Sequence, residues 1–135
     1  MSVYPAIKLL INGEWKSEAG RESEPVIDPA TGAAIGAVPH ATTADLDEAL
    51  ASADRAFAGW RSTPPARRSE ILRTAATLLT ERAEDIALWM SLEQGKPLAE
   101  ARSELAVSAA VFNWSAEEAW RTYGKVLPQT APGQR

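Results

Sequence analysis

Few side chains in this sequence are of a type and spacing that could do chemistry. The single histidine, His40, stands between Pro39 and Ala41, with no second histidine and no cysteine anywhere in the chain. It lacks the ligand partners of a metal site. Its neighbours also give it no group to orient or activate it as an acid or base. It reads as a turn or surface residue. Glu117-Glu118 suggests paired carboxylates, but adjacent helical residues point about 100° apart and do not share one site. They read as a solvated face, with Glu118 spaced to make a weak ion pair with Arg121. Gly95-Lys96 lacks the spaced glycines and the Ser or Thr of a phosphate loop, and Gly13, Gly20, Gly32 and Gly36 never form Gly-x-Gly-x-x-Gly. Tryptophans 15, 60, 89, 114 and 120 could stack bases. Four of the five fall on helical patterns, where packing is the plainer role.

Composition narrows the classes further. The 135 residues, 45% hydrophobic and 24% charged, suit one soluble globular domain with a modest core. A net charge of −4 disfavours sequence-independent nucleic-acid binding, which needs a basic surface to displace counterions. It equally disfavours an anionic membrane surface. No apolar run approaches the roughly 20 residues of a membrane span, and Met1 to Pro5 carries no secretory signal pattern. The lack of cysteine fits a cytoplasmic origin. It also denies these residues a thiol nucleophile.

Strands come first. Ile7 to Ile11 is an apolar run closed by Asn12-Gly13, the strongest two-residue hairpin signal, and Glu14 to Lys16 returns. Residues 17–24 read as a loop. Val26-Ile27 leads into the turn Asp28-Pro29-Ala30-Thr31-Gly32, and Ala33 to Val38 follows as a strand. The first forty residues are expected to form one small antiparallel sheet.

Helices follow. Thr42 or Thr43 can cap the first, with Asp45 near its N-terminal dipole. Leu46, Leu50, Ala53, Phe57 and Trp60 recur every three or four residues as an apolar stripe. Thr63 can cap a second helix that has Pro64 at its first position. Ile71, Leu72, Ala75, Leu78 and Leu79 mark its stripe, and Ala83-Glu84-Asp85 a break before Ile86 to Gly95. Gly95 can end a helix in the left-handed region, and Pro97 can start the next. That third helix is expected to run to Tyr123 with Gly124 as terminator, along Ala101, Leu105, Ala109, Phe112, Ala116 and Trp120. At about 39 Å it is too long for so small a body to cover. Lys125 to Pro128 can form a short strand.

Leu92-Glu93-Gln94-Gly95-Lys96-Pro97, followed by Trp114-Ser115-Ala116-Glu117-Glu118-Ala119 and Tyr123-Gly124, resembles the N-terminal region of NAD(P)-dependent aldehyde dehydrogenases, in the variant of their succinate-semialdehyde branch. The resemblance also covers Ile11 to Trp15, Ile27 to Gly32, Ala53 to Trp60 and Arg67 to Leu72, in order. Asp28 replaces an asparagine usual before that proline; both residues make the same turn bond.

The resemblance implies an α+β chain of small antiparallel strands and three long helices. Residues 1–135 would be the N-terminal portion of the family's cofactor-binding domain, with strands within 7–40, helices within 43–123 and the start of an oligomerisation arm at 125–135. The intact enzyme would use NAD or NADP to oxidise a small semialdehyde, such as succinate semialdehyde, and would form a homo-oligomer. Its cysteine nucleophile and cofactor loop would lie elsewhere, so no catalytic or cofactor-binding residue is expected here and the chain alone should be inactive. Two subsites are implied. The carbonyls of Val26 and Ile27 with the Glu93 side chain would hold a monovalent cation. Val107, Val111 and Trp114 would line the aldehyde entrance, where packing in the core is the plainer alternative for each. A naturally truncated, non-catalytic paralogue acting as an interaction or decoy subunit is the competing reading. Without further domains, Phe57, Trp60, Trp89, Phe112, Trp114 and Trp120 need cover. Self-association through the third helix, or a different fold, is then expected.

Overall fold

The computed structural model describes residues 4–17 and 19–125. Two hairpins precede four helices. β1 (Leu9–Ile11) pairs antiparallel with β2 (Glu14–Lys16). Their Asn12-Gly13 turn has φ of 53° and 80° at its two residues, the double positive φ that Asn-Gly tolerates. β3 (Ser23–Ile27) pairs antiparallel with β4 (Ala34–Pro39), with a register irregularity between Val26 and Ile27. The expected single sheet is thus two separate two-stranded sheets. Ser23 and Glu24, read as loop, belong to β3, because they find ladder partners in Pro39 and Val38.

α1 (Thr43–Arg61) starts at a capping box. The Thr42 hydroxyl accepts the Asp45 N–H at 3.2 Å, and the Asp45 carboxylate accepts the Thr42 N–H at 2.8 Å. At the other end, Ser62 and Thr63 hydroxyls donate to the Gly59 carbonyl. Thr63 is therefore spent closing α1 and does not cap α2 (Pro65–Glu81), which has Pro64 in the cap position and Pro65 first inside. Pro64 holds ψ at 147°, as expected of a residue preceding proline, so the helix cannot begin earlier. The Arg68 side chain reaches back to the Trp60 and Arg61 carbonyls at 3.1 and 2.9 Å, tying α2 to the end of α1.

The break before α3 (Ala83–Gln94) falls at Arg82 rather than at Ala83 to Asp85. No glycine or proline marks it; α3 turns there so that Ala83, Ile86, Ala87 and Met90 can lie on α4 (Leu98–Glu118). Ala87 and Ala101 are fully buried, and with Leu105 they form the main apolar cluster. α2 lies along α4 with Ser69, Ala76, Ala109 and Ala116 buried. Small residues on these faces let the helices approach closely, so the core is narrow. α4 stops short of Tyr123: it passes into a 3-10 turn (Ala119–Arg121) after Glu118. The expected strand from Lys125 to Pro128 and the arm beyond it lie outside the described residues, apart from Lys125, which is in no strand. No helix among the described residues is long and apolar enough to cross a membrane.

Candidate functional site

Glu93 stands in the last turn of α3, two residues before Gly95. Gly95 closes the helix at φ 68°, with its N–H donated to the Ser91 carbonyl at 2.8 Å. The Glu93 carboxylate accepts the hydroxyl of Tyr4, which is buried. The Tyr4 ring lies against Gly36, so close that a Cβ there would stand 2.7 Å from its Cδ1. Gly36 is the ladder partner of Val26. One tyrosine thus links Glu93 to the strand pair that carries Val26. Beside it, Pro29 packs on Gly95, 3.0 Å from the place of a Cβ. The end of α3 and the Val26-Ile27 end of β3 therefore converge.

The turn after β3 is built by Asp28. Its carboxylate accepts the Ala30 N–H at 2.8 Å and the Thr31 hydroxyl at 3.0 Å, while its carbonyl accepts the Gly32 N–H at 2.8 Å. This is the side-chain-to-backbone bonding expected of Asp or Asn there. It fixes Pro29 against Gly95. Among the described residues no three His, Cys, Asp or Glu side chains gather as a metal cluster. Any cation at this junction would rest on backbone carbonyls and one carboxylate.

Val107, Val111 and Trp114 fall on one line of α4, opposite its buried Ala101, Leu105 and Ala109. They are 60%, 56% and 66% exposed, so packing in the core of the described residues is not their role. The reason is geometric: α2 and α3 cover only one side of α4.

Sequence reasoning missed two contributions. Tyr4 and Gly36 carry no periodic signal, and only their long-range contact reveals them. Asp45, expected only to complement the dipole of the first helix, closes the capping box and is also a hub. It is buried and accepts the Arg21 guanidinium through both of its oxygens, the Thr42 hydroxyl at 2.7 Å, and Lys16 Nζ at 3.4 Å. Arg21, with help from Thr42 and Lys16, holds the Asp45 carboxyl far below the usual carboxylate range. Glu48 first, then Asp45, raises Lys16. The hub fastens the β1–β2 hairpin and the following loop to α1. His40 is exposed, with the Glu24 carboxylate 3.8 Å from Nε2.

The aldehyde dehydrogenase family model matches residues 15–135. The chain belongs to the aldehyde dehydrogenase family. It is 43% identical over 125 residues to a glutarate-semialdehyde dehydrogenase of Pseudomonas putida, covering 93% of this chain and 26% of that one. It is 41% identical over 119 residues to the NADP(+) succinate-semialdehyde dehydrogenase of Escherichia coli, covering 88% of this chain and 25% of that one. Its fold matches a solved aldehyde dehydrogenase from Brucella melitensis biovar abortus with TM-score 0.88 and 40% identity, over 98% of this chain and 27% of the other. A succinate-semialdehyde dehydrogenase from Burkholderia pseudomallei gives TM-score 0.86 at 38% identity, over 96% of this chain and 27% of that one. The family's fold is therefore kept in this segment, and the expectation of a different fold is overturned. The chain spans about a quarter of the length of the relatives it matches.

Proposed function

We propose that this chain is the N-terminal portion of an NAD(P)-dependent semialdehyde dehydrogenase that oxidises a small semialdehyde, succinate semialdehyde being the leading candidate, to the acid. The observation that carries the reading is the pair of semialdehyde-oxidising relatives above 40% identity over most of the chain. The exposed Val107, Val111 and Trp114 line supports it, as an apolar wall open to a substrate's hydrocarbon chain. A nicotinamide cofactor, held by other parts of the intact enzyme, would supply the hydride acceptor. These 135 residues hold no cysteine, so the attacking thiolate belongs to another part of the enzyme. Here the described residues would position substrate and exclude water, and none of them acts on the carbonyl. The chain alone is then inactive, and cytoplasmic residence follows from the same reading.

The junction of Val26, Ile27 and Glu93 suits a monovalent cation. The irregular ladder at Val26/Ile27 falls where the α3 end approaches, and Glu93 supplies the charge. Tyr4 would hold that carboxylate in place. A bound cation there would tie β3 to α3 and take no part in the oxidation.

A chimera tests the reading. Residues 15–125 replace the matching segment of the Escherichia coli succinate-semialdehyde dehydrogenase. The expected result is retained succinate-semialdehyde oxidation, with Val111→Trp raising KM more than it lowers kcat by narrowing the entrance. A folded chimera that oxidises other aldehydes but not the semialdehyde refutes the substrate assignment.

A further inference from the structure

Tyr4 touches both sides of the join between α3 and the β3–β4 hairpin. Within the segment 4–8 that leads into β1, it is buried while Ala6 and Lys8 are exposed. Its hydroxyl donates to Glu93 Oε1 at the end of α3. Its ring meets β4 at Gly36, where a Cβ would stand 2.7 Å from Cδ1 and 2.8 Å from Cε1. Gly36 is not one of the positive-φ glycines, so its backbone conformation does not call for glycine. The missing side chain answers to the ring's need for room.

Gly36 pairs with Val26 across the β3–β4 ladder. The tyrosine therefore ties the same two elements that a cation on Val26, Ile27 and Glu93 would tie, one through ring and hydroxyl, the other through oxygen ligands. Two ties across one join are not independent. The first to form fixes the Glu93 rotamer and the approach of α3 to β3, and the second finds both already ordered. The two do not compete for the carboxylate. The phenol is a neutral donor that leaves the negative charge on Glu93, and a carboxylate accepts on two oxygens, of which Tyr4 takes Oε1. One such charge among neutral carbonyls suits a monovalent cation.

We propose that a monovalent cation at the Glu93 junction and the docking of segment 4–8 are cooperative. Tyr4 is a positioning residue for the cation, and the cation in turn clamps segment 4–8 onto β4 and α3. The proposal rests on the cation site put forward above and is independent of the substrate. Linkage makes the effect reciprocal: whatever factor Tyr4 adds to cation affinity, the cation adds to the docking of the segment. A factor of about fivefold is expected, the low end of such couplings.

Hydrogen exchange of the full chain, read by mass spectrometry, tests this. Potassium or sodium chloride is titrated against choline chloride at constant ionic strength, so that screening does not change. The cation should slow exchange at residues 26–28 and 93–96, which gives its Kd, and at residues 6–8 with the same midpoint. Glu93→Gln removes the charge but keeps an acceptor for Tyr4, and should abolish every cation effect. Tyr4→Phe keeps the ring, removes the hydroxyl and should raise the Kd about fivefold. Gly36→Ala denies the ring its place and should raise the Kd likewise, with no further rise when Tyr4→Phe is added. Cation protection that Glu93→Gln abolishes but Tyr4→Phe leaves at the same or a lower Kd overturns the coupling and leaves the cation site standing. No cation response in the wild type overturns the site and the proposal with it, whatever Tyr4→Phe does to segment 4–8.

Discussion

Replacing Gly95 with alanine probes the join on which the Glu93 junction depends. Gly95 holds φ at 68°, a left-handed conformation that costs an L-residue about 1–2 kcal/mol. A Cβ there also meets Pro29 Cγ at 3.0 Å, tighter than ordinary van der Waals contact. Crowding of this kind adds about 1 kcal/mol, the lower end of overpacking costs. The sum is about 2–3 kcal/mol, a large share of a domain's typical net stability. At roughly 4 °C per kcal/mol for a chain of this size, the melting temperature falls by about 8–12 °C. Thermal unfolding followed by far-ultraviolet circular dichroism measures it. Two further variants divide the loss. Gly95→Asn tolerates the left-handed region better but keeps the Cβ, so it recovers part of the backbone cost only. Gly95→Ala in a Pro29→Ala background relieves the contact, and the cycle should show a coupling of about 1 kcal/mol. A Gly95→Ala chain melting within a degree or two of the wild type would refute both the cap and the Pro29 contact.

Leu105→Ala removes the one large side chain in the Ala87–Ala101 cluster and should cost about 2–5 kcal/mol in urea unfolding; a cost below 1 kcal/mol would show that the α3–α4 seam carries little of the stability. Asp45 is held below its usual pKa, so it stays ionised in the folded chain while the unfolded chain takes up a proton near pH 4. Its contribution is thus present above about pH 4 and fades on acidification below it, so the stability gap between wild type and Asp45→Asn should narrow from pH 5 to pH 2; a constant gap would contradict the hub. The purified chain should reduce neither NAD nor NADP with succinate semialdehyde above a mock preparation, and measured turnover would overturn the placement of the nucleophile elsewhere.

What the sequence revealed was local. Asn12-Gly13, the cap at Thr42 (one of the two threonines the pattern offered), and Gly95 before Pro97 each act through neighbours within four residues, and each stands where the pattern put it. Thr63 misled because two residues competed for one junction: its hydroxyl serves the end of α1, and the prolines set the start of α2. The break at Arg82 has no sequence mark because packing of α3 on α4 decides it. The site was legible only in halves. Glu93, Val26 and Ile27 came from motif order. Tyr4 and Gly36, which join them, depend on a contact that no local pattern encodes. Val107, Val111 and Trp114 shared a helix face by spacing, but spacing alone does not tell an uncovered face from a buried one.

The Tyr4 bond to Glu93 spans 89 positions of the chain. During synthesis at about 5–20 residues per second, Tyr4 waits roughly 4–18 s for its acceptor to be made. The β3–β4 hairpin and the first helix turns form within microseconds of emerging. Gly36 is then already in place, presenting a bare strip of backbone to which the tyrosine ring can return. The last local event is the closing of α3 at Gly95, which delivers the carboxylate. The N-terminal segment is therefore a late lock on a body assembled behind it.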